Sequence, residues 1–146
     1  MDYNCKITNN NNLNLKLNEE KLQELLYNFC HIDSNNVIII HYKYFKIVNT
    51  IIDNNNILNY LVFIIENTLK RYNTFTLHVY IENLTILEID KNKVFVQQMS
   101  TTLKEKFPDK LELCYIHNAP FIFKQIYTFL SLLIDKNTLT KIKMKQ

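Results

Sequence analysis

The sequence predicts an α/β fold built on a mainly parallel sheet, and three observations carry that prediction. Apolar residues alternate at a period of two in short runs, as in Phe75, Leu77, Val79 and Ile81 between Thr76, His78, Tyr80 and Glu82. Other segments show helical spacing over a dozen or more residues, as in Phe95, Met99, Leu103 and Phe107. The two kinds of segment succeed one another along the chain, which favours parallel strands joined by right-handed helical crossovers. At 146 residues the length fits one domain. We place it at residues 18–146, behind a flexible or peripheral arm at 1–17 that carries the run Asn9 to Asn12.

Asn18 is expected to cap a short amphipathic helix, with Glu19 and Glu20 in its first turn and Leu22, Leu25, Leu26 and Phe29 on its apolar face. A strand begins at Val37 to Ile40 and extends through His41, Tyr42 and Tyr44 to Phe45. The run Asn54 to Asn56 marks a loop. From Ile57 to Tyr72 the spacing predicts a helix whose buried face is Leu58, Leu61, Ile65, Leu69 and Tyr72, with Lys70 and Arg71 complementing its C-terminal dipole. The alternating strand from Phe75 ends in a turn at Asn83, and the helix that follows is stopped by Pro108. A strand over 111–116, a break at Asn118-Ala119-Pro120-Phe121, a helix from Phe121 to Ile134, an Asp/Thr/Lys loop and a last strand from Ile142 complete the pattern. Glycine is absent, and Asn83, Asn92 and Asn118 are expected at the left-handed positions glycine would otherwise fill.

The helix Phe121 to Ile134 is unusual. Its polar residues Lys124, Thr128 and Ser131 form one narrow stripe, and nearly everything else is Phe, Ile, Leu or Tyr. A surface helix needs a single apolar stripe. This one has apolar material to meet on two sides: the protein body, and a partner that is protein, lipid or membrane.

Composition excludes several classes. A hydrophobic fraction of 47% is incompatible with general disorder. No 18-residue apolar run is present to span a bilayer, and the polar start of the chain lacks signal-peptide character, so a cytoplasmic protein is expected. Cys5, Cys30 and Cys114 show no CxxC or Cys/His spacing and are expected to be reduced and inert, with no metal. His31, His41, His78 and His117 lack metal spacing and no nucleophile motif occurs, so neither an enzyme nor a cofactor is expected. The net charge of +3 is compatible with an anionic lipid surface. Basic residues are not interleaved with aromatic ones as nucleic-acid stacking requires, which argues against nucleic acid.

The ordered succession of strand Leu77 to Ile81, helix 93–107, Phe107-Pro108-Asp109, strand 111–116, Asn118-Ala119-Pro120-Phe121, the greasy helix and Asp135-x-x-Thr138-x-x-Lys141-Ile142 resembles the CRAL-TRIO family, the lipid-binding domain of fungal-type phosphatidylinositol transfer proteins. The resemblance covers the chain from about Val37 onward and implies a shortened member, with little of the usual preceding helical lobe. It implies an apolar pocket floored by the sheet and covered by a mobile gate helix that opens at a membrane. Phe121, Phe123, Ile126, Tyr127, Phe129, Leu130 and Leu133 would be the gate residues that contact acyl chains. Asp109, Thr138 and Lys141 would bind the head group of phosphatidylinositol or a phosphoinositide, the bound lipid being the sole ligand. Phe75 and Leu77 stand where choline-lipid binders carry small hydroxyl residues, and Tyr80-Ile81-Glu82-Asn83 replaces an Asp-Leu-Lys-Gly turn. The resemblance also leaves room for a protein-interaction module, with a homodimer or a small GTPase on the second greasy face. Read on their own chemistry, Asp109 and Thr138 are equally turn or cap residues, Lys141 a solvated strand-edge charge, and the greasy helix a core or interface helix.

Overall fold

The computed structural model describes residues 12–119 and 121–145, with side chains from Glu19 onward. Most of the proposed arm, residues 1–11, lies outside the described residues. The elements run α1 (Asn12–Phe29), β1 (Cys30–Ser34), β2 (Val37–His41), α2 (Tyr42–Val48), α3 (Asn54–Leu69), β3 (Phe75–Tyr80), α4 (Ile86–Lys91), α5 (Lys93–Lys106), β4 (Leu111–His117), α6 (Phe123–Leu133), α7 (Lys136–Leu139) and β5 (Ile142–Lys145).

The five strands lie in the order β1-β2-β3-β4-β5. β1 and β2 form an antiparallel hairpin, and the three later pairings are parallel. This is the α/β class expected. Because the order never reverses, three right-handed crossovers in succession place all their helices on one side of the sheet. The core follows that geometry. Ile38, Leu77, Cys114 and Ile116 point from the strands into it, against Leu26 and Phe29 of α1, Phe45 of α2, Leu61 of α3, Phe95 of α5 and Leu130 of α6. A buried hydroxyl joins two layers, Tyr60 donating to the Cys30 carbonyl at 2.6 Å.

Several boundaries differ from the sequence expectation. α1 begins at Asn12, so Asn18 lies within the helix and not at its start. The strand from Val37 ends at His41 instead of running to Phe45, because Tyr42, Phe45 and Val48 satisfy a helical spacing that puts Phe45 and Val48 in the core. α3 buries the expected Leu61 and Ile65, with Leu58 and Leu69 half-buried against the core, and adds Ile57, Tyr60, Val62 and Thr68, whereas Tyr72 lies beyond the helix and is exposed. Asn54 to Asn56, expected as a loop, form its first turn because Asp53 caps the helix, accepting from the Asn56 N–H at 2.9 Å. Three elements are not in the sequence expectation, among them α7, a single helical turn where a loop is expected. β1 pairs through a two-residue turn at Asn35, whose φ is 53°, and α4 opens with a reciprocal capping box between Thr85 and Glu88.

Asparagine does replace glycine at tight turns: Asn35, Asn83 and Asn118 all have positive φ, joined by Asp109 at 59°. Asn92 does not, with φ at −92°.

Candidate functional site

A cavity of about 210 Å³ lies between the helix side of the sheet and α6. Its floor is Ile40, Leu77, Val79, Cys114, Ile116 and Ile142, a row contributed by four neighbouring strands. Its walls are Phe45 of α2, Ile89 of α4 and Phe95, Val96 and Met99 of α5, and its roof is Ile126, Phe129, Leu130 and Ile134. Two polar side chains reach the lining and satisfy each other. The Asn92 amide donates to the Tyr42 hydroxyl at 3.2 Å and to the Glu88 carbonyl at 2.8 Å. Burial pushes the Tyr42 phenol above its ordinary range, so it stays neutral. Cys114 in the floor is likewise neutral, its thiol pushed up by burial to about 12. The hollow therefore offers apolar surface and no charge.

Helix α6 has the two apolar sides its sequence implied. Three of the seven residues expected to contact acyl chains, Ile126, Phe129 and Leu130, line the cavity. Phe121, Phe123, Tyr127 and Leu133 do not. Phe121 sits in the turn before α6 and is 94% exposed, and Phe123 and Tyr127 stack with their rings 6.3 Å apart on the outer side. Lys124, Thr128 and Ser131 are exposed, as their stripe predicted. Leu132, at 78% exposed, belongs to the outer apolar side and was not singled out. α4 adds Leu87, 83% exposed, and beside it Ile86, which faces Lys124, Thr128 and Leu132 across a groove. The capping pattern Thr85-x-x-Glu88, whose two intervening residues are Ile86 and Leu87, is the signal in the sequence that discloses this second projecting element.

Of the three head-group candidates, Asp109 precedes β4, and Thr138 and Lys141 precede β5, so all three lie towards the N-terminal ends of those two parallel strands, with only Thr138 and Lys141 in contact, through their backbones. Asp109 occupies the turn between α5 and β4, and its left-handed backbone gives it a structural role that its carboxylate does not require. Thr138 lies in α7, where its backbone N–H and its hydroxyl both donate to Asp135, at 3.1 and 2.8 Å. Those bonds hold the Asp135 carboxyl below its ordinary range. The Thr138 proton is therefore engaged, leaving its oxygen lone pairs. Lys141 is fixed by its backbone: its N–H donates to the Thr138 carbonyl at 3.0 Å, and its carbonyl accepts from Cys114 at 2.9 Å. The ammonium takes no part in holding the strand.

At the opposite end, Asn83 and Asn118 turn the chain out of β3 and β4, and the Asn118 amide donates to Glu82 at 3.0 Å. This is the expected turn without glycine.

Residues 22–146 match the family described as the CRAL/TRIO domain. The chain belongs to that family. Among solved structures, a CRAL/TRIO-like architecture is shared with the chain titled "Crystal structure of Sfh5", with a TM-score of 0.68 at 18% identity. The match covers 82% of this chain and 47% of that one, so the CRAL/TRIO chain here spans about half the length of that relative. No curated protein matches it. CRAL/TRIO domains bind lipid ligands, and among the described residues no helix of this member is long and apolar enough to cross a membrane.

Proposed function

We propose that the chain is a carrier for one membrane lipid, phosphatidylinositol or a phosphoinositide, which it exchanges with cytoplasmic membrane faces by outward movement of α6. The observation that carries this reading is the wholly apolar hollow directly beneath a helix that is apolar on both sides.

Size makes the movement necessary. A void of about 150 Å³ holds benzene, and pockets for drug-sized ligands run to about 300–1,000 Å³. At about 210 Å³ the closed cavity accepts a short length of chain, and a two-chain lipid requires α6 to swing away from the sheet. In water, that swing exposes Ile126 and Leu130, both buried when closed. At about 1.5–3 kcal/mol for each side chain, opening costs roughly 3–6 kcal/mol and is rare. Against a bilayer the same side chains enter hydrocarbon and the cost largely vanishes. Phe121, Leu132, Leu87 and Ile86 are already exposed to make the first contact.

Lipid tails gain about as much from the bilayer as from the cavity, near 0.8 kcal/mol per CH₂ in either. Selection therefore rests on the head group. Lys141 supplies a point charge for phosphate, and Asp109 an acceptor for inositol hydroxyls. Thr138 contributes lone pairs and holds the loop in shape through Asp135. Phe75 and Leu77, buried on β3, leave no hydroxyl there for a choline lipid. No bond is made or broken in this cycle.

The test is transfer of fluorescent phosphatidylinositol and phosphatidylcholine between vesicles. Wild type is expected to move the inositol lipid preferentially, and Lys141→Ala to slow that transfer severalfold while leaving the melting temperature unchanged, since its backbone bonds are untouched. Equal transfer by both proteins removes Lys141 from the site. No transfer of either lipid by wild type rejects the carrier reading.

A further inference from the structure

One large surface of the fold has no described partner. The unreversed strand order sends α2 to α7 to a single side, and the buried face of α1 joins the same core. The other face of the sheet carries Val37, Ile39, Tyr80, Leu113 and Tyr115, all half-buried, and no described helix lies over them. Parallel sheets are almost always covered on both faces.

All four histidines of the chain fall on this uncovered face. His41 stacks on Tyr80 at 4.9 Å, Tyr80 on His117 at 4.3 Å with planes 8° apart, and His78 on Tyr115 at 4.9 Å. His78 Nδ1 and His117 Nε2 are 2.8 Å apart, so one ring donates to the lone pair of the other and at least one of the two is neutral. Fixed charge sits at the two edges. Asp33 lies on β1 and acts on His78, while Lys143 and Lys145 are exposed on β5, with Lys145 Nζ 4.3 Å from the Tyr115 ring centre.

We propose that this face is where two copies of the chain meet, sheet against sheet, about a two-fold axis running along the strands. That rotation reverses the strand order of the second copy, so its β5 lies over β1 of the first. Asp33 then faces lysines at both edges, and the aromatic rows meet in the middle. A two-fold axis across the strands would instead lay β1 on β1 and β5 on β5, so Asp33 would meet no lysine and the two lysine edges would face each other, which is repulsive. Five strands about 4.8 Å apart and five residues at about 3.3 Å give roughly 400 Å² of flat sheet per copy. The total of about 800 Å² is below the roughly 1,200 Å² of stable interfaces, so association is weak and concentration-dependent. The cavity is on the other side of the sheet, so the dimer stands or falls independently of lipid carriage.

The histidines make the contact sensitive to pH. The charged and titratable groups around them are His31, Lys43 and Glu82 for His41, Lys145 and Asp33 for His78, and His78 and Lys145 for His117. Tyr27 of α1 stacks on His31 at 4.7 Å. Burial first, and neighbouring cations second, hold His41, His78 and His117 below the ordinary 6.5. A second copy buries them further, so protonation opposes association. Association is therefore strongest where the rings are neutral and weakens as pH falls through their lowered range, below the ordinary histidine value.

Sedimentation velocity over a concentration series of the full chain tests this at about pH 7.5 and about pH 5.5. Dimer growing with concentration at the higher pH and weaker association at the lower is expected. Asp33→Lys, an exposed change, should weaken association about tenfold or more, and adding Lys143→Glu and Lys145→Glu in the same chain should restore it. A monomer at every concentration overturns the proposal, as does a dimer indifferent to the charge exchange. Flotation of such a monomer with anionic vesicles, abolished by Lys143→Glu, would assign the face to a membrane instead.

Discussion

Replacing Leu130 by alanine separates a cavity that exists for a ligand from a packing defect. Leu130 is 9% exposed and roofs the hollow from α6. Leu→Ala changes in cores cost about 2–5 kcal/mol, the larger values where the surroundings cannot close in. Here the floor is a hydrogen-bonded sheet that cannot rise to fill the gap, and the vacated volume merges with about 210 Å³ already present. We expect a loss of about 3 kcal/mol in the lipid-free protein, a large part of the roughly 5–15 kcal/mol that domains usually possess. With lipid bound, two or so methylenes can enter the space, at about 0.8 kcal/mol each. The loaded protein should then lose only about 1.5 kcal/mol. Urea unfolding of wild type and variant, each with and without phosphatidylinositol, measures the difference. If both forms lose the same amount, no chain occupies the hollow beside Leu130 and the reasoning fails.

Other expectations follow from single residues. Phe121→Asp should reduce binding to vesicles severalfold and change stability by less than about 0.5 kcal/mol, since the ring is almost entirely exposed; flotation and thermal unfolding check the two halves. Asp109→Asn removes a charge while keeping a residue that tolerates φ near 59°, so head-group preference should shift in vesicle transfer with little loss of stability. Asp109→Ala, by contrast, should also cost stability because its backbone does not favour that region. Thr85→Ala breaks the capping box of α4 and should cost about 1 kcal/mol in chemical unfolding.

What the sequence disclosed was mostly local periodicity. The strand from Phe75 and the helices around Leu61 and Phe95 were legible because the hydrophobic spacing alone decides them, and the double-sided character of α6 because a helix so apolar has no other use for its circumference. The segment after His41 was misread because alternation over four residues also fits a short helix, and only packing of Phe45 and Val48 against the core decides between them. α4 was missed although its capping box was written in the sequence, being only six residues long. Of the site, the roof residues Ile126, Phe129 and Leu130 were legible from spacing and resemblance, whereas the floor across four strands depends on register. Capture of the Thr138 hydroxyl by Asp135 is a matter of side-chain geometry. The uncovered sheet face follows from strand order, a property of topology that no single segment encodes.

The central claim is that the hollow beneath α6 shelters lipid. Native mass spectrometry of the purified chain, followed by organic extraction and lipid analysis, addresses it most directly. We predict one inositol phospholipid per protein molecule; protein that is empty, and stays empty after incubation with phosphatidylinositol vesicles, would contradict the account.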